Sequence, residues 1–429
     1  MTAGARQTPA RPPTPAGTGR PSGTGRQTGS QRAVSRAHPV RESVPGRILG
    51  VSVGQVILWQ VAAAAVLVAA VRKDWTLALA VAFAAAVVLL TLVRQRGRWL
   101  YQSMGIRMRF RARRRVRPAD GPVDARLATL RELLPELDVS GIALRSGERV
   151  GVAYDGVAWV GVVAVVPGED VLPQPQGSQW LPVRELAKAL TVDDIALASV
   201  QVVQHTAPAP AGVLPGQSPV AGSYQRLNQR GTPAARHLWV ALRLDPARCP
   251  DAVEVRGGGL EGGQRAVKRC VARVLELLDG AGVRGRALDE EGVRTVLALT
   301  GSVRAVPAPP GTRRSDETWT HWQGDGTAHV TWWIRSWPQR GIPMQVLADA
   351  VATVPALAVT VSLALHTEQA EGSRFRGFVR VSAQSAAAVG AAALAVEQAA
   401  AGAGIGLFRL DGEHALGVIA TLPLGGGTL

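Results

Sequence analysis

Hydrophobic residues are distributed very unevenly along the first hundred positions. Residues 1–46 are rich in Pro, Gly, Thr and Arg and carry almost no large apolar side chain. Such an arm buries too little surface to offset its ordering entropy, so we expect it to be disordered. Within residues 47–94, two charge-free apolar segments follow, 51–71 and 75–93. Each has about the twenty residues that a helix needs to cross roughly 30 Å of hydrocarbon, which predicts a two-helix transmembrane hairpin.

Small residues recur along the second apolar segment. Ala78, Ala82 and Ala86 follow each other at four-residue spacing, which places them on one face of a helix. A stripe of small residues allows two helices to approach closely, so these three are predicted helix-packing positions. The high alanine content of the chain could also produce this spacing.

Arginines flank the two segments on their outer sides. Eight arginines and a single acid, Glu42, precede the first segment, whereas the link between the segments holds only Arg72, Lys73 and Asp74. The positive-inside rule then predicts a multi-pass protein of the cell membrane with both termini in the cytoplasm. A cleaved signal peptide is the alternative, but the first apolar core is longer than a signal peptide requires.

The stretch 95–120 interleaves arginine with aromatic and sulfur-containing residues. This composition is typical of a collar that lies among lipid head groups, although a simple stop-transfer charge cluster explains it equally well. The predicted lipid-interface residues are Arg94, Arg96, Arg98, Trp99, Tyr101, Arg107, Arg109, Arg111, Arg113, Arg114 and Arg115.

The net charge of +16 is concentrated in the N-terminal part of the chain. Residues 1–117 hold 20 of the 48 basic residues and only two of the 32 acids, a balance of +18, which leaves −2 for the rest. A nucleic-acid-binding module would carry its basic surface on the folded domain, so nucleic acid is not an expected partner. Membrane lipids are an expected partner, because anionic lipid stabilises each nearby cationic side chain by about 1 kcal/mol.

The remaining residues, 121–429, alternate between strand and helix patterns. A Tyr154-Asp155-Gly156 turn inside 151–166 predicts a β-hairpin, and apolar residues repeat at three and four between 264 and 278, as on an amphipathic helix. Residues 206–223 are Pro, Gly and Ala and predict a mobile loop. The chain as a whole predicts an α+β (mixed α/β) cytoplasmic domain behind the hairpin. Further predicted elements are a short helix at 183–190, strands at 195–204, 237–244, 319–322, 328–337, 357–366 and 375–382, helices at 289–301 and 342–353, and an alanine-rich helix that ends near Ala401 and is followed by a last apolar strand.

The layout and several segments resemble the EccE family, a membrane component of the type VII (ESX) secretion system. The likeness rests on the segments GVSVGQVILWQ, VRQRGRWLYQSMGIRMRFRARRR, GVAYDGVAWVGVVAV, RCVARVLELLDGAGVRGRALDEEGV and LPLGGG. The resemblance implies a structural subunit at the periphery of a membrane complex with EccB, the EccC ATPase and EccD. The resemblance implies no catalytic residues and no cofactor for this chain.

Motifs for catalysis are weak in this sequence. Gly257, Gly259 and Gly262 satisfy GxGxxG before the best helix, but prolines separate them from the preceding strand, so a flexible helix cap is the better interpretation. A P-loop motif is absent, so any energy for transport must come from a partner. The adjacent Asp193 and Asp194 could serve a sugar-nucleotide transferase through a divalent ion, or could simply form a turn.

The remaining candidates are histidine, cysteine and tryptophan. His321 and His329 straddle a predicted turn, but no further ligand completes a zinc set, so we expect no metal site. Cys249 and Cys270 are expected to be buried thiols. Five tryptophans between 319 and 337 favour core packing, with a subunit contact as the alternative. The sequence therefore predicts a non-enzymatic subunit that supports protein export; a membrane-tethered glycosyltransferase-like protein and a lipid-surface scaffold are the alternatives.

Overall fold

The computed structural model describes most of the chain from residue 47 onward. The described residues are 47–48, 51–72, 75–92, 94–95, 98–114, 124–143, 149–166, 183–208, 233–304, 312–337, 343–351, 354–368 and 372–427. The predicted arm at 1–46 and the part of the predicted loop beyond residue 208 lie outside these residues.

Three helices form the N-terminal part of the described chain. In order, the elements are β1 (Arg47–Ile48), β2 (Val51–Ser52), α1 (Val53–Arg72), α2 (Thr76–Leu92), β3 (Arg94–Gln95), β4 (Arg98–Trp99) and α3 (Leu100–Arg113). The short strands pair as β1 with β2 and β3 with β4, and α1 packs against α2. The two apolar segments are therefore helical and adjacent, as a hairpin requires.

The transmembrane part of the predicted fold class is nevertheless wrong. Among the described helices, none combines the length and the apolar character needed to cross a membrane. The 17 residues of α2 extend about 26 Å at 1.5 Å per residue, less than the thickness of a bilayer core. In α1, Gln55 and Gln60 interrupt the apolar residues and Arg72 ends the helix, so its unbroken apolar run is confined to 61–71.

The rest of the described chain contains short and long strands interspersed with helices. The strands are β5 (Asp138–Ala143), β6 (Arg149–Tyr154), β7 (Trp159–Val165), β8 (Thr191–Val192), β9 (Ile195–Ala196), β10 (Ser199–Pro208), β11 (Pro233–Leu244), β12 (Gly285–Ala287), β13 (Ser315–Glu317), β14 (Trp322–Gly324), β15 (Thr327–Ser336), β16 (Ala358–Glu368), β17 (Gly372–Ala383) and β18 (Gly406–Arg409). The helices are α4 (Ala128–Arg131), α5 (Val183–Ala187), α6 (Pro250–Glu254), α7 (Gly259–Gly280), α8 (Glu290–Gly301), α9 (Pro343–Val351), α10 (Ala386–Gly402) and α11 (His414–Thr421), with 3-10 turns at Lys188–Leu190 and Pro246–Arg248.

Twelve of these strands form one antiparallel sheet, which has helices on both faces. The order is β13-β14-β15-β17-β16-β10-β11-β7-β6-β5, with β12 also paired to β7 and β18 to β15. Along β11, Val240 and Leu242 pack towards α7, while Trp239 and Ala241 pack towards α4 and α8. This mixed α/β body agrees with the α+β prediction. Residues 239–244 of β11 are buried on both sides because a helix layer lies over each face of the sheet.

The order of elements repeats, a feature that sequence analysis did not detect. Apart from the short elements β8, β9 and α6, which have no counterpart in the second half, the first half runs β5-β6-β7, α5, β10-β11, α7, β12, α8; the second runs β13-β14-β15, α9, β16-β17, α10, β18, α11. In each half the short strand after the long helix pairs with the third strand, β12 with β7 and β18 with β15. The halves meet where β10 pairs with β16. From that pair outward, equivalent strands follow in the same order on the two sides: β10, β11, β7, β6, β5 on one and β16, β17, β15, β14, β13 on the other.

Local sequence signals explain where the two best predicted helices begin. Gly257, Gly258 and Gly259 all have positive φ, and α7 starts at the last of them, which supports the interpretation of GxGxxG as a cap. The Asp289 carboxylate accepts a hydrogen bond of 2.8 Å from the Gly292 amide and caps α8. Both helices therefore follow the predicted pattern closely.

Candidate functional site

The basic helix α3 lies against the β13 edge of the sheet. Arg113 Nε donates to Glu317 Oε2 at 3.1 Å, and Arg113 Nη2 donates to the Gly412 carbonyl at 2.5 Å. Burial raises the pKa of Glu317, while Arg113 and the backbone amide of Ala415 oppose that rise. The Ala415 amide donates to Glu317 Oε1 at 3.0 Å, so one buried carboxylate joins α3 to the first turn of α11.

Aromatic contacts complete this docking. The rings of Phe110 and Trp319 meet edge to face with 5.8 Å between their centroids. The guanidinium of Arg107 lies 5.7 Å from the centroid of the Trp319 ring, within the range of a cation–π contact. Arg114 lies 3.6 Å from Asp316 in an exposed ion pair. Three of the predicted lipid-interface arginines, Arg107, Arg113 and Arg114, therefore contact the body of the protein.

The other side of α3 faces outward. Met104 and Met108 are 56 % and 67 % exposed, and Arg109 and Arg111 are exposed beside them. This surface, which we call the outer face of α3, combines cationic and apolar groups. Arg96 and Arg115 of the predicted set lie outside the described residues, and the side chains of Arg94, Arg98, Trp99 and Tyr101 are likewise outside the description.

The predicted helix-packing stripe lies on the surface of α2. Ala78, Ala82 and Ala86 are all exposed, whereas Val87 is 4 % exposed. The contact between α1 and α2 therefore does not bury the stripe. Close packing at these three alanines remains a prediction, and it now concerns contact with another chain.

The acidic pair considered for a transferase is neutralised by arginines. Asp193 is 2.8 Å from Arg269 and Asp194 is 2.6 Å from Arg256, and each arginine lowers the pKa of its partner carboxyl. The two carboxylates therefore point to different partners. Within the described ranges, no group of three or more His, Cys, Asp or Glu side chains could hold a metal ion.

The two histidines near the β14–β15 turn do not face each other. The strand register places His329 opposite Trp322, and their ring centroids are 5.2 Å apart. His329 Nδ1 instead lies 2.9 Å from Ser382 Oγ, while His321 Nδ1 lies 3.0 Å from Thr318 Oγ1. Each histidine thus has a local hydrogen-bond partner.

The cysteines and tryptophans behave largely as core residues. Cys249 and Cys270 are buried free thiols, and burial raises the pKa of Cys270 to about 12. Trp322 and Trp332 are each 1 % exposed, whereas Trp333 is 41 % exposed. The tryptophans between residues 319 and 337 therefore include both core and surface positions.

Sequence analysis missed a buried polar row across the sheet centre. Thr331, Arg380, Thr360 and His205 lie opposite one another on β15, β17, β16 and β10, and all are nearly inaccessible to solvent. The signal was present as polar residues alternating with valines in VRVSA and VTVSL, but such alternation normally indicates a solvent-facing side.

Comparison with known families supports the resemblance noted in the sequence. Residues 232–334, about a quarter of the chain and extending from the start of β11 into β15, match the family model described as "Putative type VII ESX secretion system translocon, EccE". This segment is similar to a family described as part of the type VII secretion system, and the match supports involvement of the chain in type VII secretion. No curated protein sequence matches the chain.

Proposed function

We propose that this chain is a structural, non-catalytic subunit of a type VII secretion complex. Its partners in this proposal are the other membrane components, EccB, the EccC ATPase and EccD. The family match over residues 232–334 supports the assignment to this system. The arginine partners of Asp193 and Asp194 favour a structural role, because carboxylates held in ion pairs are poorly placed to share a divalent ion.

The observation that carries the structural role is the two-sided character of α3. One side is fixed to the body through the Arg113–Glu317 pair and the Trp319 ring, while the outer face presents Arg109 and Arg111 with two methionines. Cations near anionic lipid are attracted by about 1 kcal/mol each, and methionine adapts to irregular apolar surfaces. In the proposed arrangement the outer face lies at the membrane surface and α3 sets the orientation of the body.

Two further features support the placement within a complex. The exposed stripe of Ala78, Ala82 and Ala86 offers a surface on which a helix of another subunit could pack closely. Cys249 and Cys270 are free thiols, as expected in a reducing compartment, so the body is proposed to face the cytoplasm.

The test is affinity purification of the tagged full chain from its native host in mild detergent. We expect the wild-type chain to bring down EccB, EccC and EccD. A double charge reversal on the outer face, Arg109→Glu with Arg111→Glu, is expected to reduce the membrane-bound fraction severalfold. The matched control reverses two exposed arginines of α7, Arg265→Glu with Arg273→Glu, and should keep wild-type behaviour.

Two results would contradict the proposal. Recovery of the wild-type chain without any of the three partners would remove the assignment to the complex. Equal membrane fractions for the outer-face variant and the α7 control would show that α3 does not carry the membrane contact.

A further inference from the structure

Arg380 is a buried cation at the centre of the sheet. Its side chain is 0 % exposed, and its Nη2 donates to the backbone carbonyl of Thr300 and lies 3.5 Å from Thr360 Oγ1. Within the described part of the chain, its Nε and Nη1 atoms have no hydrogen-bond partner. Burial lowers the pKa of Arg380 to about 9, so the guanidinium is still charged at neutral pH.

Two neighbouring side chains also present polar atoms without protein partners. Thr331 lies directly opposite Arg380 in the β15–β17 register, and its Oγ1 is buried and unpartnered. His329 is two residues earlier on the same strand, therefore on the same face, and its Nε2 is also buried and unpartnered. Both side chains are 0 % exposed.

The unpartnered atoms are all able to donate hydrogen bonds. Burial holds the pKa of His329 well below its usual range, and the positive charge of Arg380 adds to this effect, so the ring is neutral. When the Ser382 hydroxyl donates to Nδ1, Nε2 carries the ring proton. A guanidinium, a hydroxyl and an imidazole N–H thus occupy neighbouring positions on one face of β15 and β17, and each has a buried donor without a partner among the described residues.

Two other arginines with largely inaccessible side chains have carboxylate partners. Arg243 Nη1 lies 2.5 Å from Asp155 Oδ2, and Arg314 Nη2 lies 2.7 Å from Asp325 Oδ1. An uncompensated charge in a protein interior is strongly unfavourable, and buried donors without acceptors add a desolvation penalty for each group. Arg380 therefore calls for a negative partner, and no described side chain provides one.

We propose that Arg380, Thr331 and His329 bind a small inorganic anion of about the size of chloride. The anion lies between the sheet and the helices α8 and α11, because Thr300 at the end of α8 accepts from Arg380 and His414 of α11 accepts from the Thr331 amide. Arg380 belongs to the second repeat and Thr300 to the first. The anion thus stabilises the packing of one repeat against the other.

The first test is thermal unfolding of the full chain at constant ionic strength, with chloride replaced stepwise by gluconate. A ligand that binds only the folded state raises Tm with concentration, and we expect about 2–4 °C per tenfold increase in chloride above its Kd. Identical Tm values in chloride and gluconate would overturn the proposal, since water molecules alone would then satisfy the donors. Stabilisation by inorganic phosphate but not by chloride would overturn the size assignment.

Variants separate the site from general salt effects. Arg380→Met is expected to abolish the chloride dependence of Tm, and Arg273→Gln, an exposed arginine on α7, should retain it. Because Arg380→Met could fail to fold, the near-isosteric Thr331→Val provides a second variant. Loss of one hydrogen bond should weaken apparent chloride affinity about tenfold. Unchanged chloride affinity in Thr331→Val would overturn the assignment of Thr331 as a ligand.

Bromide gives a direct structural readout. Crystals grown in bromide are expected to show an anomalous peak beside the Arg380 guanidinium on the Thr331 side. A map with ordered bromide elsewhere but none at Arg380 would overturn the proposal. This inference does not depend on the secretion role, so either proposal can fail while the other stands.

Discussion

Acidification from pH 7 to pH 5 is expected to destabilise the body through buried histidines, and His205 provides the sharpest case. His205 is 3 % exposed, and its Nδ1 lies 2.9 Å from Thr360 Oγ1. Burial, with smaller effects from the charges of Arg380 and His237, lowers the pKa of His205 to about 3. In the unfolded chain the ring has a pKa near 6.5, so the unfolded state takes up the proton first as the pH falls.

The sign and size of the effect follow from this difference. The neutral His205 ring makes its full contribution to the free energy of unfolding above about pH 6.5. This contribution is lost progressively as the pH falls towards 3. One pKa unit corresponds to about 1.36 kcal/mol, so moving from pH 7 to pH 5 removes about 2 kcal/mol from the free energy of unfolding. Burial also lowers the pKa of His366 to about 4, which adds a loss of similar size over the same interval.

Urea unfolding followed by tryptophan fluorescence at pH 7 and pH 5 measures this loss. In His205→Asn the amide can still bond to Thr360 but does not titrate, so its loss should be about 2 kcal/mol smaller than that of the wild type. His237→Asn, at an exposed position on the neighbouring strand, is the control: it removes only one of the smaller influences on His205, so its loss should differ from the wild-type loss much less than that of His205→Asn. An equal loss in His205→Asn and wild type would refute the assignment of the proton uptake to His205.

Three further predictions concern packing, charge and reactivity. A Cβ at Gly263 would lie 2.2 Å from the Trp159 ring, so Gly263→Ala should lower the free energy of unfolding in urea by about 2–3 kcal/mol. The control Gly280→Ala, with open space at its Cβ, should lower it by less than about 0.5 kcal/mol. Equal losses in the two variants would contradict the packing of Gly263 against Trp159. Asp325→Ala removes the buried carboxylate that pairs with the Arg314 guanidinium, so it should lower the free energy of unfolding by about 3–5 kcal/mol. A loss below about 1 kcal/mol would mean that water solvates this ion pair. Burial raises the pKa of Cys270 to about 12, so iodoacetamide at pH 8 should label this thiol only after the protein unfolds. Mass spectrometry measures the labelling, and a labelled Cys270 in the folded chain would contradict its burial.

Local features of the sequence were sufficient for much of the secondary structure. The hairpin of β6 and β7 follows from the β-forming residues on either side of the Asp155-Gly156 turn, and α7 follows from its amphipathic spacing. The start of α8 follows from the Asp289 cap. These elements depend on turn chemistry, capping and periodicity within about twenty residues, so a single sequence carries the information.

The C-terminal helix α11 and the repeat were not predicted, because each depends on comparison between distant segments. Residues 281–298 and 403–420 show the correspondence once the structure aligns them. Gly282 and Gly404 end equivalent helices with φ of 73° and 72°. Leu288 and Asp289 correspond to Leu410 and Asp411 at the start of the following helix. Elsewhere the two halves differ too much in sequence for the pattern to be visible.

The sequence by itself determined the mixed α/β class, the main helices and hairpins, the basic character of α3 and the likeness to EccE. Only the tertiary structure decided that α3 docks on Glu317 and that polar residues at alternate strand positions, Arg380 among them, are buried rather than solvated. The reason is physical: alternation fixes which side chains share a face of a strand, but distant helices decide whether that face meets water or protein. The apolar content of α1 and α2 likewise suggested membrane spans, whereas none of the described helices is both long and apolar enough to cross a membrane.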